Sequence, residues 1–301
     1  MANSAQRRIL NDYQMLLKNK DLLHESGIFF EFDEENIFRM RAMIIGPPDT
    51  PYEKGFFFFY ITFPENYPNL PPKFQYETNH RNIRFNPNLY VNGYVCLSLL
   101  NTWSGGGEGW TASNNIMSIL NSIQGMVLNE FPLINEPGFE IVGPDHTKYN
   151  EVLEHEKFYT AVYRMIKMTP EGYKGFSKII EKYFLDNYQW YLDTLVRNYH
   201  KYKKQPIFTC SYQSNKTNND YLGNFKKFIE LGKTLAKELD REIDIPDPIT
   251  QTKLLATEPD AKVVVKKEGM CQGKTVRGKP CGFMAKTAGF CKVHQSQVQK
   301  N

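Results

Sequence analysis

The sequence predicts an α+β fold on three observations. Its N-terminus is helix-periodic, four strand-like runs follow with short turn-rich connections, and long helix-periodic stretches come after them. The first helix is expected over Ala5 to Lys20, where Ile9, Tyr13, Leu16 and Leu17 recur on one face and Arg7, Arg8 and Lys18 fall on solvated ones. The strands are expected at Ile28–Phe32, Phe38–Ile45, Gly55–Phe63 and Lys73–Tyr76, and their short connections in chain order imply an antiparallel meander. Pro68, Pro71 and Pro72 keep the segment before the last strand out of any ladder interior, because proline has no N–H to donate.

A helix is expected to open at Thr111-Ala112-Ser113, with Ile116, Ile119, Leu120, Ile123 and Val127 as its buried stripe. A loop spans Asn129 to Asp145, and helices are predicted over His146–Met168, Tyr173–Tyr202 and Asn219–Arg241. Asp244 to Gly269 holds Pro246, Pro248 and Pro259 with little periodicity and reads as a linker. The expected divisions are therefore a core over 1–165, a helical extension over 166–243, a linker over 244–269, a small unit over 270–295 and a tail over 296–301.

With 41% hydrophobic and 23% charged residues, most of the chain is expected to fold as a soluble globule. The longest apolar run, Phe56 to Phe63, is too short to span a bilayer, so no membrane role is expected. The N-terminal stretch has no apolar signal core, which points to the cytosol or nucleus. Five cysteines in that setting argue against a disulfide framework. Charge is uneven: residues 261–301 carry eight Lys and one Arg against one Glu, so with a net charge of +4 the rest of the chain is net acidic.

Cys96 stands out in "NPNLYVNGYVCLSLL", at the end of two turns, where apolar residues resume. The stretches 46–78 and 85–140 resemble the catalytic core of ubiquitin-conjugating enzymes. The family's His-Pro-Asn, seven residues, Cys appears as Asn86-Pro87-Asn88, seven residues, Cys96. The insert "TWSGGGEGW" and the ending "NEPGFE" look most like the subgroup of large hybrid conjugating-ligase enzymes. The resemblance covers about residues 5–165.

It implies that Cys96 accepts the C-terminal glycine of ubiquitin as a thioester from the activating enzyme and passes it to a lysine of a protein substrate. It implies that Asn88 stabilises an oxyanion or holds the active-site loop, a donor worth ~3 kcal/mol in a transition state. Glu136 matches the acidic gate that orients the incoming lysine, and Arg7 and Arg8 match first-helix cations that meet the activating enzyme. Departures from the family are Asn86 for the usual His, which predicts a less rigid loop, Ser98 for an acid, and polar Asn69 where relatives dock a RING-type ligase. The glycine-rich insert Thr102–Gly109 reads as a flap near Cys96 or as an ordinary solvent loop. No base lies near Cys96 in sequence; the nearest histidine is His80.

At the C-terminus, Cys271, Cys281, Cys291 and His294 follow a Cys-x9-Cys-x9-Cys-x2-His pattern, a donor set suited to tetrahedral zinc. So short a segment buries no core, and structural zinc would supply its folding free energy. It resembles small Cys3His knobs at the ends of unrelated proteins, particularly in large DNA viruses, which would make a host cell the setting. No organic cofactor is expected. The basic tail also suits nucleic acid. Two other functions stand beside conjugation: a non-catalytic binding module of the ubiquitin pathway, and a nucleic-acid-binding protein working through the tail.

Overall fold

A computed structural model of the chain describes residues 4–80, 82–103, 109–213 and 216–257. Helices α1 (Ser4–Lys18) and α2 (Lys20–Glu25) lead into an antiparallel sheet in the order β1 (Ile28–Phe32), β2 (Arg39–Ile45), β3 (Phe56–Thr62), β4 (Lys73–Tyr76). This is the meander expected from the sequence. Helix α3 (Ile116–Ser122) continues through a wider turn over Ile123–Val127. Helix α4 (Pro144–Lys157) runs through a similar stretch, Phe158–Tyr163, into α5 (Arg164–Lys167). The extension comprises α6 (Ser177–Asp186), α7 (Tyr188–Tyr202), a short hairpin of β5 (Ile207–Phe208) and β6 (Thr217–Asn218), α8 (Tyr221–Glu238) and α9 (Pro248–Ala256).

Several boundaries differ from those expected, each for a local reason. The first helix breaks at Asn19, whose side-chain amide donates to the Met15 carbonyl at 2.8 Å. Its buried stripe is Ala5, Ile9, Asp12 and Leu16, while Leu17 is 44% exposed. Asp12 is tolerated inside because Arg8 Nε lies 2.9 Å away and the Tyr67 hydroxyl donates to it. Helix α3 opens at Asn115 rather than Thr111, since the Thr111 backbone N–H and hydroxyl both donate to Asn114 Oδ1 and close a separate turn. The Asn115 side chain then accepts from Ser118 N, and Ser118 Oγ accepts from Asn115 N, which caps the helix reciprocally.

The expected helix Tyr173–Tyr202 is split. Glu171–Phe176 winds as a tighter 3₁₀ turn, and Asn187 interrupts the rest by donating its amide to the Tyr183 carbonyl at 2.8 Å. Helix α9 forms inside the stretch expected to be a linker, capped by Asp247, whose side chain accepts from Ile249 N and Thr250 N at 2.8 Å. It docks through its Leu254 carbonyl, 2.8 Å from His200 Nε2.

The run Phe56-Phe57-Phe58-Phe59 is buried at every position, because both faces of β3 are covered. On the inner face Phe57 packs edge-on against Tyr52 and Phe85, at centroid distances of 5.5 and 5.9 Å. On the outer face Phe58 stacks on Tyr173 at 4.5 Å with rings 5° apart, and Phe56 meets Tyr183 edge-on at 5.8 Å. The extension therefore supplies the outer layer of the fold. Among the described residues, no helix is long and apolar enough to cross a membrane.

Candidate active site

The segment from Arg84 to Thr102 is built on turns. Asn86 opens it, with Leu89 N donating to its carbonyl at 2.9 Å. Tyr90 to Tyr94 forms a second reversal, Tyr90 N donating to Tyr94 O at 2.9 Å, with Gly93 at φ +89°. A side chain at Gly93 would combine that left-handed backbone with a contact of 2.9 Å to Gln75 Cγ, so glycine alone fits. Cys96 then returns to Asn88: Cys96 N donates to the Asn88 carbonyl at 2.8 Å, and Asn88 Nδ2 donates to the Cys96 carbonyl at 2.6 Å. Asn88 thus brackets the backbone of Cys96 from both ends of one residue.

Asn86 braces the segment from below. It is fully buried, and its Nδ2 donates to the Val127 carbonyl at 2.7 Å and the Tyr52 hydroxyl at 3.1 Å. Its Oδ1 accepts from Asn88 N at 2.7 Å, and Tyr52 Oη passes the chain on to the Phe85 carbonyl at 2.6 Å. The weaker loop expected from replacing His by Asn does not follow. The amide has two donors and an acceptor, and all three functions are used between the loop, the end of the α3 helix and the β2–β3 connection.

Cys96 is 6% exposed, more covered than expected of a nucleophile at the rim. It nevertheless lies outside the contiguous apolar cluster to which its neighbours Val95 and Leu97 belong. Its sulfur meets a polar group, Sγ donating to the Thr102 carbonyl at 3.0 Å. Thr102 is in turn fixed by accepting from Leu97 N at 2.8 Å. Burial pushes the Cys96 thiol above its ordinary pKa, the Arg84 guanidinium pulls it down, and Glu136 pushes it up. The resting sulfur is therefore a thiol, and its thiolate fraction rises with pH.

Glu136 is half-buried where the 3₁₀ turn Pro132–Asn135 ends, and its charge reaches both Cys96 and Tyr212. Cys96 and Asn88 are therefore brought together, with Glu136 within electrostatic range of the thiol. Arg8 is placed otherwise: its guanidinium donates to the Ala112 and Asn114 carbonyls and pairs with Asp12, tying α1 to the turn before α3. Arg7, next to it, is exposed. Asn69 is exposed beside Leu70, which is 50% exposed, and His80 packs on Tyr159 at 5.4 Å. Cys210 is a buried free thiol in the extension. Residues 104–108 of the glycine-rich insert, and Cys271, Cys281, Cys291 and His294, lie outside the described residues; among those described, no cluster of His, Cys, Asp or Glu could hold a metal.

Sequence reasoning missed Arg84, Tyr212 and Gln213. Arg84 lies over the Tyr90 ring at 3.8 Å and the Tyr212 ring at 5.5 Å. Gln213 clamps its backbone, Oε1 accepting from Arg84 N at 3.0 Å and Nε2 donating to Arg84 O at 3.1 Å. Arg84 has a weak cue, being two residues ahead of the Asn-Pro-Asn motif. The other two have none, since they stand about 130 positions away in the chain.

Comparison with known proteins follows the same residues. The family model described as ubiquitin-conjugating enzyme matches residues 8–151. The chain is 42% identical over 171 residues to human ubiquitin-conjugating enzyme E2 Z, covering 55% of this chain and 47% of that protein. It is 41% identical over 168 residues to the Danio rerio E2 Z, covering 55% and 50%. It is also 42% identical over 144 residues to human BIRC6, a dual E2 ubiquitin-conjugating enzyme/E3 ubiquitin-protein ligase, covering 46% of this chain and 3% of that one. The chain spans about half the length of the E2 Z relatives. With the meander, the Asn-Pro-Asn turn and Cys96 in the expected order, residues 8–151 are similar throughout to ubiquitin-conjugating enzymes.

Proposed function

We propose that this chain accepts ubiquitin on Cys96 and transfers it to a lysine of a protein substrate. The observation that carries the reading is the reciprocal pairing of Cys96 with Asn88, which fixes a lone thiol on a rigid turn outside the apolar core. In the first step the Cys96 thiolate attacks the activated C-terminal carbonyl of ubiquitin held by the activating enzyme. A carbon–sulfur bond forms, and the activating enzyme's own sulfur leaves with the electron pair of the bond it loses. In the second step a neutral lysine amine attacks the same carbonyl. The carbon–nitrogen bond forms, the bond to Cys96 breaks, Cys96 leaves as thiolate and the amine proton passes to an acceptor.

Asn88 holds the loop in both steps. Its amide already donates to the Cys96 carbonyl, which favours loop support over a free oxyanion donor. Glu136, within electrostatic reach of Cys96, orients the lysine and accepts its proton. Arg7 supplies the exposed first-helix charge toward the activating enzyme, while Arg8 chiefly shapes that surface through Ala112 and Asn114. The likeness to a dual conjugating-ligase protein supports some ligase character here too, with a separate ligase reduced to an accessory. The C-terminal Cys271, Cys281, Cys291 and His294 bind structural zinc, a reading supported by their donor set alone. Loss of zinc from the full chain on Cys281→Ser, read by metal analysis, tests it.

The test of the main reading is a charging reaction with activating enzyme, ATP and ubiquitin. An adduct of ubiquitin mass that reductant removes is expected. Cys96→Ser should give at most a reductant-resistant ester, Cys96→Ala nothing, and Cys210→Ala normal charging. Normal charging of Cys96→Ala would overturn the reading.

A further inference from the structure

The geometry points to Arg84 as a positioning residue for the Cys96 loop, and to Tyr212 and Gln213 of the C-terminal extension as the groups that hold Arg84 in place. The inference rests on the reading of Cys96 as the acyl carrier, and it gives the extension a part in that chemistry beyond covering the sheet.

Arg84 is gripped at every level. Its backbone is clamped by the Gln213 side chain, which donates to its carbonyl and accepts from its N–H, as a neighbouring strand would. The Tyr149 hydroxyl, from α4, donates to the same carbonyl at 2.7 Å. Its guanidinium lies over the Tyr90 ring, from the loop, and near the Tyr212 ring, from the extension. From there Nη2 donates to the Pro87 carbonyl, inside the Asn-Pro-Asn turn that carries Asn88. A planar guanidinium can stack on two rings and still donate at its edge; an ammonium on a flexible stem cannot.

The consequence is electrostatic as well as mechanical. Among the described residues, the charged groups that act on Cys96 are Arg84 and Glu136, with opposite effects on its ionisation. Tyr212 stands next to both. The extension thus sets how closely the favourable charge is kept near the sulfur, and its Tyr212 also reaches the Glu136 carboxylate. Gln213 and Tyr212 are themselves anchored: Ser211 Oγ donates to Asp145 Oδ1 at 2.7 Å, and the Tyr212 ring meets Tyr149 edge-on at 5.4 Å.

The test reads the thiol directly, without ubiquitin. The full chain, with Cys210→Ala as background, is alkylated with iodoacetamide across a pH series, and alkylation of Cys96 is followed by peptide mass spectrometry. Its midpoint reports the ionisation of Cys96. Arg84→Met should raise the midpoint by ~0.5 pH unit or more, and Arg84→Lys should recover part of that shift. Gln213→Ala and Tyr212→Leu should shift it in the same direction by less, and the exposed Lys182→Ala should leave it unchanged. Circular dichroism identifies the variants that fold; should Arg84→Met not fold, Gln213→Ala and Tyr212→Leu carry the test. Folded extension variants that melt earlier but keep the wild-type midpoint would reduce the contact to packing and overturn the inference. So would an unshifted Arg84→Met. If the wild type fails to charge with ubiquitin, the thioester reading fails, but the midpoints still decide whether Arg84, Tyr212 and Gln213 control the sulfur.

Discussion

The Cys96 segment is held from two sides, and the two supports differ in kind. From the core side, Asn86, Tyr52 and Val127 form a buried chain of neutral hydrogen bonds. From the extension side, Gln213, Tyr212 and Arg84 form a half-buried arrangement that contains a cation. The inner support fixes shape, because every donor in it is used and none can titrate near neutrality. The outer support fixes charge placement, because two aromatic rings hold the guanidinium without neutralising it. Shape is thus set within residues 8–151, as are the charges that act on the thiol, while Tyr212 and Gln213, which hold Arg84, lie beyond them.

The comparison breaks first at Asn88, where both supports converge. Asn88→Ala removes the bond to the Cys96 carbonyl and should slow both charging and discharge, each by ~10- to 100-fold in single-turnover assays. A loss confined to discharge would point to oxyanion stabilisation instead. The inner support is probed by Asn86→Ala, which strands Asn88 N and the Val127 carbonyl and should cost about 2 kcal/mol in denaturant unfolding. The alkylation midpoint should move much less than in Arg84→Met, since no charge is lost. If Asn86→Ala moved it more, the division between shape and charge would be wrong.

How far the sequence reveals these two supports follows from the range of their contacts. The four strands were legible because each is a short apolar run between turn formers, and Cys96 and Asn88 because the motif spans only eleven residues. The burial of Phe56 to Phe59 on both faces was not, because the residues that cover the outer face, Tyr173 and Tyr183, belong to helices with no distinctive pattern. The helix break at Asn187 and the late start at Asn115 are contests between side-chain and backbone hydrogen bonds, which periodicity cannot weigh. The Gln213 clamp joins residues far apart in the chain, and nothing in either stretch marks the other.

Smaller effects sharpen the contrast. Glu136→Gln removes a charge that pushes the Cys96 thiol up, so the alkylation midpoint should fall while transfer to lysine slows. A midpoint that rises would reverse the assigned sign. Because burial holds the wild-type thiol above its ordinary value, its alkylation rate should climb about tenfold per pH unit through neutrality with no plateau. A plateau below pH 8 would mean that Arg84 outweighs burial. The smallest effect belongs to the exposed pair Lys182–Asp186, at 2.7 Å, far from either support in role; Lys182→Ala should change stability by no more than about 0.5 kcal/mol.

The most direct measurement is the site of acylation. The full chain, charged in the presence of activating enzyme, ATP and ubiquitin, is digested without reductant, and the modified peptide is sequenced by mass spectrometry. The account predicts the C-terminal glycine of ubiquitin on the sulfur of Cys96, released by added thiol. Acylation found only on lysine side chains, or on Cys210, with Cys96 unmodified, would contradict it.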